Sequence, residues 1–462
     1  MDEIAQAARE RLGFEKLRGG QGEAVRAVLD GRDTLVVMAT GAGKSAIYQI
    51  AGWLIDGATL VISPLISLQH DQIENIEEEQ PGEAAAIDAS VSETRREERL
   101  EELADEELEF LFLAPEQLAR EETVRRLAGA NVSLLVVDEA HCISEWGHDF
   151  RPDYMRIGPV AERLGSPTIL ALTATASPPV REEIVERLNM RAPEVIIRGF
   201  DRPNIRLEVD RHHGERQKRR ALVDRAKRLG GPGIVYVATR RGAEETAAEL
   251  KEAGLRARPY HAGLPKSERD AAQEAFMADE LDAIAATTAF GMGVDKPNVR
   301  FVLHSEPSDS VDSYFQEIGR AGRDGEPAEA VLFYRTEDIG LRRFFAGGGD
   351  TEERREWERS RVEMMRAYAE HDHCRRAFVL SYFGEAAPDP CGNCDNCEAG
   401  RGRAEKGARP FDVGTSVRHA DWGEGVVQRY DGDHVVVLFE SVGYRTLSVE
   451  LVTERGLLDT AS

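Results

Sequence analysis

Four groups of residues in this 462-residue sequence have the types and spacing to do chemistry. In Ala39-Thr40-Gly41-Ala42-Gly43-Lys44-Ser45 an apolar run ends at a glycine-bearing turn. Backbone N–H groups of such a turn, at the start of a helix, cradle phosphate, with Lys44 reaching the terminal phosphates and Ser45 available to Mg²⁺. Ala39 stands where the G-x-x-x-x-G-K-[ST] pattern has its first glycine, so this segment alone also fits an ordinary glycine turn. The second group is Asp138-Glu139, closing the apolar run Leu134-Leu135-Val136-Val137. At the end of a parallel strand Asp138 can hold Mg²⁺ and Glu139 can orient and activate an attacking water, as phosphoanhydride hydrolysis requires. Two acids that merely end a strand are the plain alternative.

The third group is Arg320 and Arg323 in Gln316-Glu317-Ile318-Gly319-Arg320-Ala321-Gly322-Arg323-Asp324-Gly325. Three residues apart on a helix or turn, both can point at one anion, and transferring a phosphoryl group needs such positive charge. Taken alone, the pair reads equally as a surface feature. The fourth is Cys374, Cys391, Cys394 and Cys397, within 24 residues. Four sulfurs with no open position suit a structural Zn²⁺ better than catalytic zinc, with a redox or iron–sulfur centre as the alternative. Cys142 lies far from them and reads as a small structural residue.

These groups need a frame. Apolar runs at Thr34–Met38, Thr59–Ile62, Phe110–Leu113, Leu134–Val137 and Thr168–Leu172 alternate with amphipathic stretches, the pattern of buried parallel strands in an open α/β sheet. The pattern restarts after Arg202-Pro203-Asn204, at Gly233–Val237, Leu281–Ala286, Val299–Leu303 and Ala330–Phe333, so a second sheet is expected. A helical segment then leads into the cysteines. A polar, glycine-bearing linker follows, and short β runs broken by Asp431-Gly432 and Val442-Gly443 predict a small antiparallel barrel. The fold class is α/β, with expected domains at 1–202, 203–335, 336–402 (zinc module) and 411–462 (barrel), joined by a linker at 403–410.

Net charge is −25 with a pI near 5.0, so any polyanion site must be locally basic. Runs such as Glu101-Glu102 with Asp105-Glu106-Glu107 read as solvated helix faces, or as part of a salt-adapted composition. No apolar stretch is long enough for a membrane span and the N-terminus has no secretory pattern, so a cytoplasmic location, nucleoid-associated in a prokaryote, is expected.

The motifs together resemble a superfamily-2 helicase and, more narrowly, the RecQ family. Beyond the groups above, the resemblance rests on Gly13-Phe14-Glu15-Lys16-Leu17-Arg18-Gly19-Gly20-Gln21, Ser63-Pro64-Leu65-Ile66-Ser67-Leu68, Ala114-Pro115-Glu116, Thr173-Ala174-Thr175-Ala176 and Ala289-Phe290-Gly291-Met292-Gly293-Val294-Asp295-Lys296-Pro297. It covers roughly residues 10 to 397. It implies ATP as the nucleotide, held by Phe14, Arg18, Gln21, Thr40, Gly41, Gly43, Lys44 and Ser45. Phe14 would stack on adenine, Gln21 would bond its edge, Arg323 would be an arginine finger and Arg320 its companion. His141-Cys142-Ile143-Ser144-Glu145-Trp146-Gly147-His148-Asp149-Phe150-Arg151-Pro152 is similar to the family's aromatic-rich loop, which couples single-stranded DNA to hydrolysis. Trp146 and Phe150 offer stacking faces, while His141, His148 and Arg151 offer polar contacts. Core packing of the two aromatics is the other reading. The family's four-cysteine site is a structural zinc site.

The resemblance implies a 3′-to-5′ DNA helicase acting on single-stranded and branched DNA in recombination and repair. Only 65 residues follow Cys397, a span in which the family's winged helix does not fit beside a linker. In its place Val413-Gly414-Thr415-Ser416-Val417-Arg418-His419-Ala420-Asp421-Trp422-Gly423-Glu424-Gly425-Val426-Val427 is similar to the Tudor- or SH3-like module of UvrD-type helicases, which docks proteins such as RNA polymerase. Three alternatives stay open: an RNA helicase on the same core, an ATP-driven translocase or remodelling factor tethered by this module, and a tail that only folds stably.

Overall fold

The computed structural model describes residues 3–461 except 40, 65, 80–81, 89, 145–148, 292–295, 346–350, 386–389, 403–408 and 440. The chain divides into two compact units, Met1–Phe200 and Asp201–Ser462.

The first unit is built on seven parallel strands: β1 (Thr34–Met38), β2 (Ala58–Ile62), β3 (Ala84–Ile87), β4 (Phe110–Leu113), β5 (Val132–Val137), β6 (Thr168–Thr173) and β7 (Glu194–Arg198). Their order is β3-β4-β2-β5-β6-β1-β7, the alternation of an open doubly wound sheet. β1, β2 and β4 are buried at every residue because helices cover both faces. One face packs Val36, Val61, Phe112, Val136 and Leu172 against Ile47 and Ile50 of the helix Ser45–Gly52. Each such buried side chain contributes about 1.5–3 kcal/mol of transfer free energy, enough to hold that short helix on the sheet.

The second unit has six parallel strands, β8 (Ile205–Arg211), β9 (Gly233–Tyr236), β10 (Ala257–Tyr260), β11 (Ala283–Ala286), β12 (Phe301–His304) and β13 (Ala328–Tyr334), in the order β10-β11-β9-β12-β13-β8. Its edge strand β8 is covered by the cysteine module. Leu207 pairs in parallel with Cys394, the Leu207 N–H donates to Asn393 O (3.4 Å) and the Val209 N–H to Asp395 Oδ2 (3.1 Å).

The C-terminal strands β14 (Ser416–His419), β15 (Gly423–Asp431), β16 (His434–Phe439), β17 (Gly443–Ser448) and β18 (Asp459–Thr460) form one antiparallel sheet in the order β17-β16-β15-β14-β18, bulged between Val427 and Arg429. It wraps its own core of Val417, Val427, Val435, Val437 and Phe439. This sheet is seated on the helices Glu352–Glu370 and Arg375–Tyr382. Tyr444 lies 5.9 Å from Trp357 and 5.5 Å from Tyr382, and the Arg429 guanidinium lies 3.7 Å above the Phe378 ring. Among the described residues no helix is long and apolar enough to cross a membrane.

Candidate active site

The carboxyl ends of β1, β2, β5 and β6 gather the chemistry-bearing residues of the first unit, where an open parallel sheet places its ligands. After β1 the chain turns through Gly41 and Gly43, both at positive φ, into the helix Ser45–Gly52, whose start no side chain caps. Uncapped N–H groups at a helix start are what a phosphate needs. The Lys44 ammonium donates to Met38 O at 3.1 Å. Gln21, 2% exposed, braces the turn: its Nε2 donates to Gly43 O (2.8 Å) and Ala42 O (3.3 Å), and its Oε1 accepts the Arg18 N–H (2.7 Å). A Cβ on Gly43 would lie 2.6 Å from Gln21 Nε2, so a larger residue would strain the positive φ and displace the bracing amide. Arg18 Nη1 donates to Gly41 O at 2.5 Å. Phe14, 42% exposed, presents an open ring on the same segment. Gln21 and Arg18 thus join the expected base-reading segment to the phosphate turn.

Asp138 and Glu139 follow β5. Glu139 has φ +47°, a left-handed backbone that a non-glycine residue holds at a cost of about 1–3 kcal/mol and that clusters at functional sites. Its N–H donates to Asp138 Oδ1 (3.0 Å), and Ser63, after β2, donates its hydroxyl to Asp138 Oδ2 (3.3 Å). Burial, then the neighbouring Glu139 charge, pushes the Asp138 carboxyl up to about 7, while Lys44 and these hydrogen bonds pull it back. A carboxyl crowded this way gains from a divalent cation, which fits Asp138 and Ser45 as Mg²⁺ holders. Glu139 Oε2 is buried with no hydrogen-bond partner among the described residues, 3.4 Å from His141 Nδ1. That acceptor is the kind a reacting water uses.

His141 is buried and bonds inward, its Nδ1 2.9 Å from Thr173 Oγ1 at the end of β6. Thr173 Oγ1 donates to Thr175 O, so His141 Nδ1 carries the proton. Arg151, half-buried, donates to Pro64 O (3.2 Å) and to Asp149 Oδ2 (3.3 Å), linking the aromatic-rich loop to the turn after β2. Phe150 is half-buried, and Cys142 is buried 3.7 Å from Asp149 Oδ2. Thr40, Trp146 and His148 lie outside the described residues.

In the second unit Arg320 and Arg323 sit on the irregular turn after the helix Val311–Ile318. Arg320 is 6% exposed, and its Nε has no hydrogen-bond partner among the described residues. It passes so close to Gly291 that a Cβ there would lie 2.8 Å from Nη2. Burial raises the neighbouring Tyr236 hydroxyl to about 12 against the pull of Arg320.

The ligand sulfurs of Cys374, Cys391, Cys394 and Cys397 lie within 4.8 Å of one another, and those of Cys391 and Cys397 are 3.8 Å apart. Zn–S bonds of about 2.3 Å in a tetrahedron place sulfurs about 3.8 Å apart, so the four fit a closed zinc site. The Cys374 thiol, then that of Cys391, holds Cys394 well below the usual thiol range. Neither His371 nor His373 joins the cluster among the described residues.

Ser63, Thr173 and Tyr154, whose hydroxyl donates to Asp138 O at 2.9 Å, complete the first-unit site. Ser63 and Thr173 fall in motifs visible in the sequence. Tyr154 carries no spacing signal.

Residues 18–184 match the DEAD/DEAH box helicase family model, residues 217–325 the helicase conserved C-terminal domain and residues 336–398 the RecQ zinc-binding model. The chain is 42% identical over 390 residues to the ATP-dependent DNA helicase RecQ of Bacillus subtilis, covering 84% of this chain and 65% of that one. It is 41% identical over 387 residues to the RecQ of Pasteurella multocida, covering 84% and 61%. To the probable ATP-dependent DNA helicase RecS of Bacillus subtilis it is 39% identical over 342 residues, covering 74% and 68%. The chain thus spans somewhat under two thirds of these two RecQ relatives. Among solved structures it shares its fold with the DUF1998 helicase MrfA bound to DNA (TM-score 0.60, 18% identity, 74% of this chain and 50% of that one). It also shares it with the Mycobacterium smegmatis helicase Lhr bound to single-stranded DNA and AMP-PNP (TM-score 0.57, 20% identity, 92% and 60%).

Proposed function

Because the chain belongs to the RecQ family of superfamily-2 helicases, we propose that it is an ATP-dependent DNA helicase. Hydrolysis is coupled to 3′-to-5′ travel on single-stranded DNA and to opening of duplex and branched DNA, in the service of recombination and repair. The observation that carries the reading is the pair Asp138 and Glu139, set at the same end of the sheet as the Lys44 turn, with one carboxyl crowded and the other offering an acceptor oxygen that has no hydrogen-bond partner among the described residues. Lys44 and the turn N–H groups hold the phosphates. Ser45 and Asp138 hold Mg²⁺, which supplies charge neutralisation on the phosphate oxygens. Glu139 orients the attacking water, and Arg323 with Arg320 meets the charge that develops on the transferring phosphoryl group.

Phe14 stacks on adenine with Arg18 beside it, and Gln21 reads the base edge by exchanging its amide bonds to Ala42 O and Gly43 O for the base. Trp146 and Phe150 stack on DNA bases, His148 and Arg151 contact the strand or nearby groups, and His141 carries the signal inward to β6. Zn²⁺ on the four cysteines is structural, and the C-terminal sheet is a docking module for a protein partner.

Strand displacement on 3′-tailed, 5′-tailed and forked duplexes, run beside ATPase stimulation by single-stranded DNA and by RNA, tests the reading. Opening of 3′-tailed and forked DNA only, with DNA the stronger activator, is expected. DNA-stimulated ATPase with no strand separation on any substrate would instead establish a translocase.

A further inference from the structure

The turn carrying Arg320 and Arg323 belongs to no strand or helix, so its carbonyls need partners from elsewhere. Apart from the Gly325 N–H, which donates to Gly322 O (3.0 Å), they come from 117 to 122 residues earlier. Arg202 donates through Nη1 to Gly319 O (3.1 Å) and through Nη2 to Ala321 O (2.8 Å) and Gly322 O (2.9 Å). Asn204 Nδ2 donates to Gly322 O (2.8 Å) and Glu326 O (2.9 Å). Gly322 permits this approach. Its φ is +55°, and a Cβ on it would lie 2.4 Å from Asn204 Nδ2.

The same short segment is held from behind by the cysteine module. Arg376 donates to Asp201 Oδ1 (2.7 Å) and Ile205 O (2.6 Å), and Asn393, between Cys391 and Cys394, donates its Nδ2 to Pro203 O (2.7 Å). Residues 201–205 are therefore bonded on one side to the zinc module and on the other to the arginine turn.

The geometry points to Arg202 as the positioning residue of the arginine turn, with Asn204 and the cysteine module fixing Arg202 in place. A planar guanidinium can span three carbonyls of one turn, which a single ammonium cannot match. The inference rests on the reading of Arg323 as the group that meets the transferring phosphoryl. Arg202 touches neither nucleotide nor DNA in this role, and acts through the backbone from which Arg320 and Arg323 project.

The test uses the zinc-loaded full chain and the variants R202A, R202K, R323A and R202A/R323A. It reads kcat and KM for ATP at saturating oligothymidylate, affinity for ADP–aluminium fluoride against AMP-PNP, zinc content and thermal melting. R202A should lower kcat about tenfold to a hundredfold, the scale of a misplaced catalytic group. It should leave KM within about twofold and lose affinity for ADP–aluminium fluoride but not for AMP-PNP. R202K should recover part of the loss. In the R323A background R202A should add nothing, because two residues acting through one interaction are not additive. If R202A does not fold, N204A and N393A, whose side-chain amides bond Gly322 O, Glu326 O and Pro203 O rather than a sulfur, are read by the same criteria. Wild-type kcat in R202A, or an undiminished R202A effect on top of R323A, overturns the positioning role alone. Wild-type kcat in R323A overturns the arginine reading on which it rests.

Discussion

The two parallel sheets present their reactive groups in different ways. In the first, Ser63, Asp138 and Thr173 lie at or next to a strand end, so the strand ladder itself aims them, and Lys44 follows a short turn after β1. In the second, Arg320 and Arg323 ride on a turn held by side chains from Arg202, Asn204 and, through Asp324, Arg300 (2.6 Å). A strand end is positioned by contiguous backbone hydrogen bonds, whereas a turn is positioned by whatever distant groups reach its carbonyls. The first arrangement depends on distant side chains only at the phosphate turn, where Gln21 and Arg18 reach the carbonyls of Gly41, Ala42 and Gly43. The second can also fail at a distance.

The largest effects should come from the first sheet. Lys44→Ala and Glu139→Gln should each lower ATP turnover about ten-thousandfold, with Glu139→Gln still binding nucleotide, as read by steady-state hydrolysis and fluorescent-nucleotide titration. Arg323→Ala should cost about a thousandfold with little change in nucleotide affinity. If instead it weakened binding as much as turnover, the second sheet would be holding the ground state, and the contrast between the sheets would collapse.

A pH experiment sharpens the first-sheet side. The folded-state value of Asp138, about 7, lies above its unfolded value of about 4. The folded protein therefore binds more protons than the unfolded one between those values, and stability falls as pH rises through that window. Without Mg²⁺ or nucleotide, the melting temperature should decline from pH about 5 to about 8 through this contribution, and Asp138→Asn should flatten the decline. An equal slope in the variant would mean that the crowding of Asp138 is not what destabilises the site.

The smallest effect on chemistry should come from the C-terminal sheet. Tyr444→Ala empties a contact with Trp357 and Tyr382 and should loosen that sheet from its helices, by about 3–5 kcal/mol as a large-to-small core change. ATP turnover should remain unchanged, and hydrogen exchange should rise at β17.

The contrast also explains what the sequence made legible. Central strands such as β1, β2, β4 and β5 announce themselves as unbroken apolar runs because both faces are covered, and the first-sheet site appears as contiguous motifs. β3 is mostly alanine, and the edge strands β7 and β8 are only partly buried, so Ala84–Ile87, Glu194–Arg198 and Ile205–Arg211 lack the unbroken run of large apolar residues that marks the central strands. The four cysteines declared their site by spacing. Arg202 and Asn204 looked like linker residues, since nothing local to them indicates carbonyls 117 to 122 residues away. The seating of Tyr444 on Trp357 is hidden for the same reason: the C-terminal strands are visible in the sequence, but their partner surface is not.

The cover over β8 has a bearing on protein quality control. Its outward-facing Leu207 and Val209 N–H groups bond to the loop that the four cysteines hold closed. An uncovered edge strand is a template for strands of other chains. Metal starvation would therefore expose a sticky seam beneath the same loop that steadies residues 201–205, so clumping of newly made chains would accompany slow turnover.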